Sequence, residues 1–192
     1  MVAHDAVVLA GGTGRRMGGV LKPQVAVHGR RLLDHVLDAT AGARRVVVVA
    51  PGTVPVPDGV IRTLEDPPHG GPVAGIAAGV RALGEPAPLV LLLACDLPGA
   101  AAAVPRLLAT VRDGTGADGV VLRDAEGREQ WLLGVYSSGA LRSRIDVLAT
   151  SGRLRGGSVR ELVRPLDLRT VDARGGEARD VDTWEDRDAI AP

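Results

Sequence analysis

The 192-residue sequence has no phenylalanine, no asparagine, one tyrosine, two tryptophans, one cysteine and, against 22 arginines, a single lysine. Aromatic residues make up 2%, too little ring surface for a platform that stacks nucleic-acid bases, so a core must be built from Val, Leu, Ala and Ile. Basic and acidic residues number 23 each, and the absence of net charge argues against a partner drawn in by a global field, such as nucleic acid or an anionic membrane surface. Cys95 has no second thiol for an internal disulfide, and Met1 to Asp5 lead into an apolar run without a charged-then-apolar signal segment; a cytoplasmic protein is the expectation. The longest apolar run, Leu89 to Cys95, is far too short to span a bilayer. Glycine (26) and proline (13) punctuate apolar runs and form no linker or low-complexity tract. The remaining composition, 45% hydrophobic and 24% charged, is that of one globular domain over residues 1–192.

What is present is an alternation. Strand-like runs at 5–10, 45–50, 60–64, 89–95, 118–123 and 131–136 interleave with helix-like stretches at 31–41, 73–83, 101–112, 138–149 and 158–164. This predicts an α/β fold, a single three-layer Rossmann-like domain with a mostly parallel sheet and helices on both faces. The apolar runs predict strands buried on both sides. Ligands of such sheets collect at the carboxyl ends of the strands, which singles out the residues following each run.

After Ala6-Val7-Val8-Leu9 come Ala10-Gly11-Gly12-Thr13-Gly14-Arg15-Arg16-Met17-Gly18-Gly19-Val20-Leu21-Lys22-Pro23. Glycines let backbone amides approach a polyphosphate without a Cβ in the way, and the Arg pair and Lys22 add charge at either end of the loop. A chain that otherwise uses arginine for its cations keeps an ammonium at position 22 alone, which points to a need for a compact, mobile donor there. After the third run stand Glu65-Asp66-Pro67-Pro68-His69-Gly70-Gly71-Pro72, and after the fourth Asp96-Leu97-Pro98. Asp96 suits Mg²⁺, which takes one or two carboxylates and completes its shell with phosphate and water, or else caps the next helix. Asp66 reads as a ligand contact or a turn residue. The small residues from Gly70 to Val80 let a helix pack close to the sheet, or let a ring slide in beside the backbone. His69 reads as a solvated loop histidine, since no Ser or Cys nucleophile is arranged near it. The glycine loop lacks the third glycine of a dinucleotide-binding fingerprint.

These residues, in this order, resemble the nucleotidyltransferases of the molybdenum cofactor guanylyltransferase type. The resemblance is carried by Leu9-Ala10-Gly11-Gly12 with Arg16-Met17-Gly18 and Lys22, by Glu65-Asp66, Gly71-Pro72-Val73-Ala74-Gly75 and Cys95-Asp96-Leu97-Pro98, and by Asp180-Val181-Asp182-Thr183-Trp184-Glu185-Asp186. It implies the nucleotide-diphospho-sugar transferase type of fold. It implies that Leu9, Ala10, Gly11, Gly12 and Gly71 hold the nucleotide, with Lys22 on its phosphates and Arg16 neutralising charge. Asp66 would contact the nucleotide, Asp96 both nucleotide and Mg²⁺, and Asp182 would be a second metal ligand. The implied reaction is attack by the phosphate of molybdopterin on the α-phosphorus of GTP, releasing pyrophosphate, with Mg²⁺ as cofactor and transient contact with molybdoenzymes or their chaperones. Arg153, Arg155 and Arg160, with Gln130-Trp131, offer a surface for an anionic pterin or simply a solvated basic face. The chain departs from the family pattern at Leu21, where Asp is usual, and at Val49, where Asn is usual. Alternatives are a CTP-dependent molybdopterin cytidylyltransferase, a sugar- or alcohol-phosphate nucleotidyltransferase, and a non-catalytic nucleotide-binding module.

Overall fold

The computed structural model describes residues 2–12, 17–112 and 116–190. Its central sheet has seven strands, β1 (His4–Leu9), β4 (Val46–Val49), β5 (Ile61–Thr63), β6 (Leu89–Ala94), β7 (Gly119–Arg123), β8 (Glu129–Ser137) and β9 (Leu168–Asp172), in the spatial order β5-β4-β1-β6-β8-β7-β9. All pairings are parallel except those of β8, which runs against both β6 and β7. A two-residue hairpin of β2 (Ala26–Val27) and β3 (Arg30–Arg31) stands apart. The helices are α1 (Leu32–Asp38), α2 (Pro72–Ala82), α3 (Ala100–Arg112), α4 (Ser138–Thr150), α5 (Val159–Val163) and α6 (Trp184–Ile190). Among the described residues no helix is long and apolar enough to cross a membrane.

The layers follow from the pleat of the strands, whose side chains alternate between faces. Ala6, Val8, Val48, Leu91, Leu93, Val120 and Leu122 point to one side and meet Leu33 and Val36 of α1 and Ala103, Val104 and Leu107 of α3. Val7, Val47, Val49, Val90, Leu92 and Val121 point to the other and meet Val73, Ile76 and Val80 of α2, Leu141 and Ile145 of α4, and Leu162 of α5. The expected three-layer arrangement is therefore present. Burial on both faces fails at β5, an edge strand of three residues whose Ile61 is 38% exposed. At the opposite edge, β9 was not expected: Leu168-Arg169-Thr170-Val171-Asp172 mixes half-buried and exposed residues and lacks the continuous apolar run of an interior strand.

One feature of β1 escapes a reading by hydropathy. Asp5 is fully buried at the amino end of the strand, where its carboxylate accepts hydrogen bonds from the backbone N–H of Ala87 (2.6 Å) and Arg45 (3.2 Å) and from the Arg44 guanidinium (3.3 Å). A buried charge is tolerated when it is fully bonded in this way. Asp5 ties the connections into β4 and β6 to β1, leaving the far end of the same strands free to build a site.

Candidate nucleotide site

The floor of the site is set by register. Leu9 at the end of β1 pairs with Val49 on one side and Ala94 on the other, so three parallel strands stop at the same level. The backbone then continues the ladder by one residue, with Ala10 N–H donating to Val49 O (2.8 Å) and Cys95 N–H to Leu9 O (3.0 Å). Above this floor lies a cavity of ≈ 610 Å³, large enough for a nucleotide. Its walls include Leu9, Gly11, Gly12, Val49, Gly71, Gly75, Leu132 and the Cys95–Asp96 corner. Burial pushes the Cys95 thiol far above its ordinary range, so this cysteine is an inert wall and no nucleophile.

Lys22 is delivered by the 3-10 turn Lys22–Gln24, in which buried Pro23 fixes the backbone and the N–H of Val25 closes on Lys22 O at 3.0 Å. Its ammonium donates to Asp96 Oδ2 at 3.1 Å and to Asp182 Oδ1. The lysine side chain is 12% exposed. Burial by itself lowers its pKa, but the hydrogen bond to Asp182 and the charge of Asp96 outweigh burial and hold it above the ordinary value of 10.5. Lys22 is thus a fixed cation across the physiological range.

Asp182 reaches this point from the far end of the sequence. The N–H of Val181 donates to Asp96 O (2.9 Å), and the buried Val181 side chain sits in a small cluster with Met17, Val25, Val27 and Leu32. Behind it, α6 begins with a reciprocal cap: Asp186 N–H donates to Thr183 Oγ1 (3.1 Å), while Asp186 Oδ2 accepts from the N–H groups of Thr183 (2.8 Å) and Asp182 (3.1 Å). Asp182 is therefore held on both sides.

The glycine-rich stretch resolves into two uses of one helix face. A Cβ on Gly79 would stand 2.4 Å from Val7 Cγ1 and 3.0 Å from Val49 Cγ2, so Gly79 lets α2 lie against β1 and β4. One turn earlier, a Cβ on Gly75 would meet only ordinary contacts, Leu9 Cδ2 at 3.5 Å and Val49 Cγ1 at 3.6 Å, and would project into the cavity. Gly71, at φ +89°, makes the turn into α2 that a residue with a side chain rarely adopts. Close packing of the helix holds at Gly79, while Gly75 leaves open space on the cavity side.

Residues 6–169 match the MobA-like NTP transferase domain. The chain belongs to this family. A molybdenum cofactor guanylyltransferase of Acidiphilium cryptum (strain JF-5) is 42% identical over 80 residues, 40% of this chain and 41% of that protein. The chain thus spans about two fifths of the length of the curated relative it matches. The fold is similar to that of the molybdopterin-guanine dinucleotide biosynthesis protein A of Archaeoglobus fulgidus (TM-score 0.70, 18% identity, 97% of this chain and 96% of that one). It is also similar to 2-C-methyl-D-erythritol 4-phosphate cytidylyltransferase of Thermus thermophilus (TM-score 0.73, 19% identity, 98% and 97%) and to Rv0371c of Mycobacterium tuberculosis H37Rv in complex with manganese (TM-score 0.65, 23% identity, 97% and 96%).

Within this MobA-like chain the structure brings together Leu9, Gly11, Gly12, Lys22, Gly71, Asp96 and Asp182 at one cavity. Two sequence expectations fall elsewhere and a third is not described. Ala10 is buried with its side chain in the core, so it offers the site only backbone. Asp66, before the cis Asp66-Pro67 bond, is exposed and outside the lining, whereas its neighbour Glu65 is part of it. Arg16 lies outside the described residues. Of the arginines considered for an anionic pterin, Arg153 pairs with Glu161 and Arg155 donates to Pro67 O at 2.6 Å. His69, read as a solvated loop residue, is exposed and stands on the cavity rim at φ +62°. The departures from the family pattern have plain places: Leu21 packs against the core, and Val49 is cavity wall.

Proposed function

We propose that this MobA-like chain transfers GMP from GTP to the phosphate of molybdopterin, forming the guanine dinucleotide cofactor and releasing pyrophosphate. The observation that carries the reading is the Lys22 ammonium, bonded to Asp96 and Asp182 beside the bare backbone of Gly11 and Gly12 at the carboxyl ends of β1 and β6. Such a site orients phosphates and neutralises charge without a covalent protein intermediate, which is how transfers of this kind are accelerated. The partial match to a guanylyltransferase supports the choice of nucleotide and acceptor.

The donor set fits a divalent cation. Lining carboxylates (Glu65, Asp96, Asp182) outnumber the one described lining cation, Lys22, so a triphosphate needs added positive charge to settle here. Among the described residues no group of three or more His, Cys, Asp or Glu side chains could hold a metal alone, which suits Mg²⁺, an ion that keeps phosphate and water as partners. Asp96 and Asp182 would hold it, and the ion would withdraw charge from the triphosphate. A manganese complex of a protein of this fold agrees with a divalent ion. Lys22 would stay protonated throughout and hold the phosphates in line, while the glycine loop keeps side chains clear of the attacking oxygen. The product would pass to a molybdoenzyme or its chaperone by transient contact.

The test is pyrophosphate release with molybdopterin as acceptor against a panel of GTP, CTP and ATP, with and without Mg²⁺. GTP is expected to be preferred and turnover to require the metal. Asp96→Asn should abolish metal-dependent turnover with Tm unchanged, because it removes charge and keeps shape. Preference for CTP would move the chain to the cytidylyl branch, and tight GTP binding with no turnover by the wild type would make it a binding module.

A further inference from the structure

The cavity has a phosphate end around Lys22 and, one helical face away, a slot beside Gly75. The slot is apolar on the sides formed by Leu9 and Val49, both within 3.6 Å of the point a Gly75 Cβ would occupy. The polar group nearest the same point is Glu65, whose Oε2 lies 3.9 Å from it. Glu65 differs from the other two lining carboxylates in its bonding: Asp96 and Asp182 hold Lys22, whereas Glu65 Oε1 accepts from the N–H of Gly70 at 3.2 Å and Oε2 faces the slot. Two further bonds steady the loop that carries it. Arg155 Nη1 donates to Pro67 O (2.6 Å), and Gly156 N–H donates to Gly70 O (2.8 Å), so the connection between α4 and α5 braces the loop from outside.

Resting on the nucleotidyl-transfer reading above, we propose that Glu65 is the specificity-determining residue that reads the nucleobase, accepting the ring N–H and the exocyclic amine of guanine in the slot beside Gly75. A carboxylate only accepts. Guanine presents two adjacent donors on that edge and so satisfies it, whereas adenine and cytosine place a ring nitrogen lone pair next to their amine and leave one carboxylate oxygen facing another acceptor. The discrimination arises from that unmatched pairing in a site closed by Leu9 and Val49. Asp66, one residue along, is exposed and outside the lining and has no such position. Asparagine, absent from the chain, is not needed for the task.

The experiment compares kcat/KM for GTP and for inosine triphosphate, which differs from GTP only in lacking the exocyclic amine, in the wild type, Glu65→Gln and Glu65→Asp. The wild type is expected to favour GTP by about tenfold or more, the scale of one lost hydrogen bond to a charged acceptor. Glu65→Gln should bring the ratio close to one and raise relative use of CTP or ATP, while Glu65→Asp should keep part of the preference. An unchanged ratio in Glu65→Gln, or a wild type indifferent to the amine, would overturn the assignment. If Glu65→Gln does not fold, Glu65→Asp carries the comparison, and a ratio unchanged from wild type in that variant would overturn the assignment. A wild type that prefers CTP to GTP would instead overturn the guanylyl reading itself, so the two failures are distinct.

Discussion

At the scale of single residues, the distinctive fact is that one ammonium serves two carboxylates 74 and 160 residues away in the chain. An arginine fork reaches two acceptors in a fixed plane, whereas a lysine is a point charge that two carboxylates can share from different directions. Lys22→Ala is therefore expected to cut turnover by about a hundredfold or more, the scale for losing one preorganised charge aimed at the transition state. Lys22→Arg should restore only part of it, and pyrophosphate release near wild-type level in either variant would remove Lys22 from the mechanism. This residue was legible in the sequence because a composition that otherwise writes arginine makes a solitary lysine conspicuous. Glu65 was not. It stands next to Asp66 after the same strand, and only the direction in which the loop turns decides which of two adjacent carboxylates enters the cavity.

At the scale of elements, α2 and α6 place the site by opposite means, close packing and capping. Gly79→Ala puts a methyl group 2.4 Å from Val7 Cγ1, in a layer with no room, and overpacking of this kind costs about 1–3 kcal/mol. A thermal melt should show a Tm lower by about 2–4 °C for each kcal/mol. Gly75→Ala meets only ordinary contacts and gains helix propensity, so its Tm should not fall, while nucleotide KM rises by about tenfold as the slot narrows. In α6, the Thr183 hydroxyl and then its N–H hold the Asp186 carboxyl below its ordinary value of 3.8. A folded pKa below the unfolded one means that this contribution is present above about pH 4 and is lost as pH falls through the folded value. Asp186→Ala should lower kcat by roughly tenfold at neutral pH, since Asp182 loses the bond from its own N–H, and the Tm gap to wild type should close in acid. The long interior strands were legible because double-sided burial demands unbroken apolar runs. Helix α6 was not, because it buries no residue and so carries no apolar stripe, and the β2–β3 hairpin has strands of only two residues.

At the scale of the whole molecule, the sheet has a structural end and a chemical end. Asp5 belongs to the first: its carboxylate bonds backbone on the connections into β4 and β6, with no part in the cavity. Asp5→Ala leaves those N–H groups and Arg44 without their acceptor and is expected to destabilise the fold by about 3 kcal/mol or more. Activity measured well below the transition should stay near wild type, and a change in kcat there would mean that the two ends communicate. The alternation of strands and helices announced the layers and located the strand ends, and with them most of the cavity. It could not announce Asp5, because a buried carboxylate in an apolar run looks like the polar residue that opens a strand.

The bond from Val181 to Asp96 has a further consequence for the order in which the protein acquires its chemistry. Every residue of the phosphate end except Asp182 precedes β7 in the chain, and domains fold as their residues emerge. A nascent chain that has completed its seven strands still lacks the second carboxylate on Lys22, which arrives ten residues after the last of them. The site is thus closed by a segment made after its sheet, and a chain that stops at β9 is a scaffold without its finished centre.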